Sequence, residues 1–148
     1  MARYERILVP TDGSEPSETA TEHAVDLAER YGATVDALFV VDETYPAVSH
    51  WDMVVEAEEA TGERALDAVA EAGEAAGVAV ERHLRRGVPY EVIVDAAGDY
   101  GADLIVMGTN GRTGLSRIAS TGSTTERVVR LTTVPTLVVG GARAESRG

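Results

Sequence analysis

The sequence predicts an α/β fold, an open parallel sheet of five strands with helices on both faces. Four short runs are apolar and rich in β-branched residues, as buried strands are, and a fifth run, residues 78–86, alternates as a strand with one exposed side does. Four segments with helical periodicity alternate with these runs. Strands that alternate with helices form right-handed βαβ units, and such units build a parallel sheet.

The amino-terminal half is predicted to contain three strands and two helices. A helix is expected to begin near Ser14 or Glu15, because Ser14 suits a helix cap and Pro16 suits a first turn, and to end at Gly32. Residues 51–76 form a long, acidic, alanine-rich segment whose glutamates scatter around the helix, which favours a solvated face over a metal site. The three strands are predicted at Arg6 to Thr11, Ala33 to Val41 and, at a sheet edge, Val78 to Arg86, and residues 44–50 at a loop.

The carboxyl-terminal half is organised around a glycine-rich stretch, residues 104–129. A strand is predicted at Asp103 to Met107, after a short helix that begins at Gly87-Val88-Pro89 and ends near Tyr100. A loop over residues 108–121, a helix from Ser123 to about Leu131 and a last strand from Pro135 to Val139 follow. The chain is therefore expected to be one domain, residues 1–140, with a tail from 141 to 148.

Composition excludes several classes of function. The 148 residues contain no cysteine, so a disulfide framework, a thiolate metal site and a cysteine nucleophile are excluded. The net charge of -12 opposes binding to nucleic acid or to anionic lipid. No apolar run approaches the roughly 20 residues of a membrane span, and no signal peptide is recognised, so a cytoplasmic location is expected.

All 13 basic residues are arginine, since the sequence has no lysine. An acidic chain of this kind is expected in a halophilic cytoplasm, where salt screens the self-repulsion of the carboxylates. A GC-rich genome, which favours arginine codons, is the alternative explanation.

The glycine-rich stretch predicts a phosphate site. Gly108 and Gly111 would let backbone amides face an anion, and Gly122 would permit its close approach. The Ser123 hydroxyl and the Thr124 amide would then donate to it at the positive end of the last helix. The alternative is that these glycines only turn the chain.

Five motifs in this order resemble the universal stress protein family. They are I-L-V-P-T-D-G-S (7–14), L-F-V-V-D (38–42), D-L-I-V-M-G-T-N-G-R-T-G (103–114), G-S-T-T-E-R-V-V (122–129) and V-P-T-L-V-V (134–139). The resemblance covers essentially the whole chain. It implies a sheet of strand order 3-2-1-4-5 that binds ATP, with Mg²⁺ as a companion of the phosphates. It also implies a homodimer that pairs through the last strand (Thr136, Leu137, Val138, Val139).

The ATP-binding pattern of the family is G-x-x-G, nine residues, then G-S or G-T. Here ten residues separate Gly111 from Gly122, so the loop is one residue longer. Counting back from the helix puts Gly122 and Ser123 at the phosphate, and we prefer this count because the anion must meet the free N–H groups of the helix start. Arg112 and Arg117 either compensate the phosphate charge or pair with surface acids, and the sequence leaves both readings open.

The resemblance also assigns the rest of the nucleotide site. Asp12 would face the sugar or the base, the backbone of Val41 would bond the adenine edge, Pro10 and Thr11 would shape the same wall, and Met107 would pack on the base. No strong general base or nucleophile stands beside the predicted phosphates. The prediction is therefore a dimeric, ATP-dependent regulatory module without efficient catalysis, and the alternatives are a slow ATPase and a scaffold that binds no nucleotide.

Overall fold

A computed structural model describes residues 3–43, 51–109 and 123–140, and for residues 51–56 and 123 it describes the backbone alone. Within these ranges, every predicted element is present and its bounds differ from prediction by at most two residues. The predicted loop 44–50 and tail 141–148 lie outside them. The elements are β1 Arg6–Pro10, α1 Glu15–Tyr31, β2 Thr34–Asp42, α2 Trp51–Ala76, β3 Val80–Gly87, α3 Pro89–Asp99, β4 Leu104–Gly108, α4 Ser123–Leu131 and β5 Thr136–Val139.

The five strands form one parallel sheet in the order β3-β2-β1-β4-β5. This confirms the predicted fold class and the predicted strand order. The ladders are unequal in length. β2 pairs with β3 from Val35 to Asp42, whereas β1 and β4 pair only at Ile7 with Leu104 and at Leu8 with Ile105. The sheet therefore opens between β1 and β4 towards the carboxyl ends of the strands.

The core lies in two layers, one on each face of the sheet, because side chains along a strand alternate between the faces. Odd-numbered residues of β1 and β2, such as Val9 and Phe39, pack against α1 and α2. Leu8 and Leu38 point the other way, into the layer formed with α3 and α4. Among the described helices, none is both long and apolar enough to span a membrane.

Helix α1 begins as the sequence predicts. Ser14 is its N-cap, Pro16 lies in its first turn, and Gly32 closes it with a φ of 70°, a left-handed conformation that glycine adopts without strain. Helix α2 lies so close to the sheet that a Cβ at Gly62 would stand 2.4 Å from the Phe39 ring. Gly62, which weakens a helix by propensity, is therefore required by packing.

The two edges of the sheet have opposite character. On β3, Arg82 pairs with Glu63 and Asp67 of α2, and Arg86 pairs with Glu59 of the same helix. At the other edge, β5 carries no charged residue, and its Leu137 and Val138 are 37% and 39% exposed.

Candidate nucleotide crevice

The open end of the sheet brings together several of the predicted site residues. Thr11 and Asp12 follow β1, and Gly108 ends β4. The Thr125 hydroxyl donates a hydrogen bond to the Gly108 carbonyl over 2.8 Å, which holds the first turn of α4 against the end of β4. The ends of β1 and β4 and the starts of α1 and α4 therefore border one crevice. In open α/β sheets, ligands bind where the strand order reverses in this way.

Gly108 has a packing role that the sequence did not reveal. A Cβ at this position would lie 2.7 Å from Pro16 Cβ, 2.8 Å from its carbonyl carbon and 2.9 Å from its carbonyl oxygen. Two of these are backbone atoms of the first turn of α1, so no rotamer change can relieve the contact. Glycine is needed here for the approach of α1 to β4, whether or not an anion also comes close.

Backbone N–H groups at the amino end of α1 already donate hydrogen bonds to nearby residues of the same segment. Ser14 N–H donates to Asp12 Oδ1 over 2.9 Å, and Ser17 N–H donates to Ser14 Oγ over 3.4 Å. Gly13 N–H donates to Thr11 Oγ1 over 3.2 Å, and Glu18 N–H donates to the Ser14 carbonyl. Because these donors are already used, α1 offers little to a phosphate although its end borders the crevice. Helix α4 is the better candidate for holding an anion.

The far wall of the crevice is the part of β2 that extends past the end of β1. Pairing of β1 with β2 ends at Pro10 with Leu38, and Thr11 N–H bonds the Leu38 carbonyl over 2.8 Å. Backbone groups of alternate residues point to opposite neighbours. Thr34 and Leu38 bond towards β1, whereas Val35 and Glu43 bond towards β3. The backbone of Val40 therefore faces the crevice.

This geometry corrects the prediction for Val41. The Val41 backbone belongs to the β3 side, where Val41 stands opposite Arg86, and its side chain is 1% exposed in the α1–α2 layer. Of the two residues, Val40 is the one whose backbone faces the crevice. Sequence alone could not settle this, because a one-residue change of register reverses the direction of every backbone group.

Some of the remaining predicted site residues lie within the described ranges and the others lie outside them. Pro10 and Thr11 are buried at the end of β1. Met107 is only 5% exposed and packs in the α3–α4 layer with Leu8 and Ile105, so little of its surface is left for a base. Thr124 is half-buried in the first turn of α4, which begins at Ser123. Gly111, Arg112, Arg117 and Gly122 lie outside the described residues.

A groove of about 430 Å³ continues from the crevice between α1 and α2. Thr11 and Gly13 are among its lining residues, Val69 and Ala65 contribute apolar surface, and Arg64 contributes polar surface. The groove lies between α1 and α2 and is partly open to solvent.

A second polar cluster lies away from the crevice, at the amino ends of the strands. The fully buried Asp36 carboxylate accepts two hydrogen bonds from Arg6, at 3.0 Å and 2.7 Å, and its Oδ1 is 2.9 Å from His83 Nε2. Because a carboxylate only accepts, this His83 nitrogen carries a proton. His83 is stacked on Tyr100 with ring centroids 4.0 Å apart.

Asp36, Glu81 and His83 have ligand atoms within 4.8 Å of one another, which is the spacing of a metal site. Arg6 Nη2, however, already bonds Asp36 and also Glu81, at 3.1 Å. Its hydrogen bond to Asp36 raises the pKa of Arg6 above the ordinary value. A cation of the protein itself thus already pairs with both carboxylates of the cluster, and we interpret it as a structural network joining β1, β2 and β3.

Comparison with known proteins agrees with the fold and with the motifs. The model of the universal stress protein family matches residues 3–140. A universal stress protein of Methanocaldococcus jannaschii is 40% identical over 146 residues, which cover 96% of this chain and 85% of that protein.

Two solved structures have the same fold. Universal stress protein UspA from Lactobacillus plantarum is 32% identical with a TM-score of 0.78, over 94% of this chain and 99% of that one. A universal stress protein in complex with cAMP is 26% identical with a TM-score of 0.73, over 96% of this chain and all of that one. The chain belongs to the universal stress protein family.

Proposed function

We propose that this protein binds ATP in the crevice between β1 and β4 and acts as a nucleotide-dependent regulatory module in a stress response. The observation that carries the proposal is the opening of the sheet between β1 and β4, with the first turn of α4 held at its margin by the Thr125–Gly108 hydrogen bond. A related structure that contains cAMP supports an adenine nucleotide as the ligand class.

Each part of the nucleotide has a group to receive it. The backbone of Val40 would bond the adenine edge, since β1 has ended before it. Asp12 would accept hydrogen bonds from the sugar. The phosphates would lie at the amino end of α4, near Gly122, Ser123 and Thr124, because the end of α1 is already capped.

Mg²⁺ would accompany the triphosphate. Residues 108–121 contain no Asp or Glu, so this sequence offers the ion few ligands there, and it would be held mainly by phosphate oxygens and water. The role of the chain is to bind and orient the nucleotide rather than to ligate the metal.

Efficient hydrolysis is not part of the proposal. Asp12 is the carboxylate at the crevice that follows β1, and its Oδ1 is held by two hydrogen bonds, as a fixed recognition group would be. A regulatory role requires only that the bound state differ in surface or stability from the free state. If bound ATP is consumed at many turnovers per minute, the ATPase alternative is favoured over the regulatory module.

The active form is proposed to be a homodimer that pairs through β5, in the cytoplasm. Leu137 and Val138 point to opposite faces of the sheet and are 37% and 39% exposed, so β5 presents apolar surface on both faces. Val129 and Leu131, at the end of α4, are 49% and 54% exposed and add to this apolar surface. A second copy would cover an edge of this kind.

Isothermal titration with ATP and Mg²⁺ in molar KCl tests the binding. We expect measurable heat and a rise in melting temperature. Ser123→Ala should weaken binding more than the matched Thr121→Ala, because residue 123 opens α4 and residue 121 precedes the Gly122-Ser123 pair. If the unaltered protein shows no heat of binding and no thermal shift, the proposal is contradicted and the scaffold alternative remains.

A further inference from the structure

The buried Ser17 hydroxyl sits in a saturated hydrogen-bond arrangement at the start of α1. It donates to Asp12 Oδ1 over 2.8 Å, and it accepts from Asp12 N–H over 3.2 Å and from Ser14 Oγ over 3.3 Å. A hydroxyl has one proton to donate and two lone pairs to accept with. All three are used here, and Ser17 is only 6% exposed.

Two of the three bonds connect Ser17 to Asp12. One runs to the Asp12 Oδ1 atom, and the other comes from the Asp12 backbone N–H. Asp12 Oδ1 also accepts Ser14 N–H over 2.9 Å, so this oxygen has two donors. Asp12 Oδ2 has no hydrogen bond to any of the described residues, and Asp12 itself is half-buried at the crevice. The carboxylate is thus fixed by one oxygen and offers the other.

We propose that Ser17 is a positioning residue for nucleotide recognition, which fixes the Asp12 carboxylate so that Oδ2 faces the sugar hydroxyls of the ligand. The inference rests on the proposed function. Ser17 itself touches no ligand and acts through Asp12.

Helix capping does not account for this hydroxyl. The cap of α1 is Ser14, whose side chain receives the N–H of Ser17. The hydroxyl of Ser17 is directed backwards, to a residue that precedes the helix. Without it, Asp12 would keep a single bond on Oδ1 from Ser14 N–H, and the Asp12 N–H would lose its acceptor. The carboxylate could then rotate about its terminal torsion, which is broad for Asp.

The arrangement also defines the chemical class of ligand. An ionised carboxylate oxygen accepts hydrogen bonds and donates none. Oδ2 therefore selects a ligand that presents donors there, and a ribose presents two hydroxyls. A nucleotide with the same base and phosphates but without these hydroxyls would gain nothing from an oriented Asp12.

Titration calorimetry of ATP and of 2′,3′-dideoxy-ATP tests the inference. Ser17→Ala is expected to weaken ATP binding about tenfold, a loss of roughly 1.4 kcal/mol, and to change 2′,3′-dideoxy-ATP binding by less than about twofold. The matched control is Thr21→Val, one turn further along α1, which removes another buried hydroxyl whose one hydrogen bond among the described residues is to the Ser17 carbonyl. It should leave the affinity for both ligands within about twofold.

Rescue separates positioning from general damage to the helix. Ser17→Thr keeps the hydroxyl and should restore the preference for ATP, even if its extra methyl group lowers the melting temperature. Equal losses for both nucleotides, or an unchanged ATP affinity in Ser17→Ala, would overturn the inference and leave the proposed function standing. If the unaltered protein binds neither nucleotide, the proposed function fails and the inference fails with it.

Discussion

Replacing Gly108 with alanine should destabilise the protein even when no nucleotide is present. The new methyl group would meet Pro16 Cβ at 2.7 Å, whereas ordinary contacts begin near 3.4 Å, so β4 and α1 must separate by about 0.7 Å. Overpacking of this kind costs about 1–3 kcal/mol, against which alanine recovers about 0.5–1 kcal/mol through the unfolded chain. We expect a net loss of about 1–2 kcal/mol and, at this chain length, a fall in melting temperature of roughly 2–8 °C.

The matched control for this prediction is Gly98→Ala in α3. A Cβ at Gly98 meets nothing within 4 Å, so the same chemical change should raise the melting temperature by roughly 2–4 °C. Both variants are compared by calorimetry at equal protein concentration without nucleotide, since ligand and assembly shift melting by mass action. A Gly108→Ala variant that melts at or above the unaltered protein would refute the packing argument, and the glycine would then be explained by ligand approach alone.

Three further predictions concern the charge network, the sheet edge and salt. Asp36→Asn should lower the free energy of unfolding, measured in urea, by about 2 kcal/mol, because Arg6 loses its buried anion. The control is Asp67→Asn in the exposed pair with Arg82, which should cost under about 1 kcal/mol. Equal losses in the two variants would contradict a special role for burial. Val138→Lys should convert a dimer into a monomer by light scattering, and a dimer that persists would exclude β5 as the interface. The melting temperature should rise steeply from low to molar KCl, given a net charge of -12, and a curve indifferent to salt would remove the halophilic interpretation.

The fold could be predicted from the sequence because the apolar runs and the helical periods report directly on burial. Each strand of this sheet is bounded by glycine, proline or acidic residues, and α1 begins and ends at the predicted cap positions, Ser14 and Gly32. The strand order followed from the family resemblance, since periodicity alone does not say which strands are neighbours.

The candidate site was predicted less completely, because part of it consists of backbone directions and approach distances. Val41 and Val40 are both apolar and adjacent, and only the observed register shows that Val40 faces the crevice. The sequence places Gly108 in the glycine-rich stretch, yet its close neighbour is Pro16, more than ninety positions away in the chain. Neither relation leaves a periodic signal in the sequence.

The buried network could have been suspected from a single residue. Asp36 interrupts a strand whose other residues are almost all apolar, and a carboxylate in that setting requires a cation. Its partners, Arg6 and His83, come from the two strands that flank β2, so the neighbour order had to be known before they could be named.

The unequal edges of the sheet restrict how copies of this chain could assemble. An edge such as β3, whose arginines are held by acids of its own helices, repels a second strand, whereas β5 presents Leu137 and Val138 without charge. A β5-to-β3 contact would be head-to-tail and would leave a fresh edge at each step, so it could propagate into a fibre. A β5-to-β5 contact uses the same strand twice and is complete with two copies. In an assembly of this kind, the arginines of β3 would limit edge-to-edge growth in addition to pairing with the acids of α2.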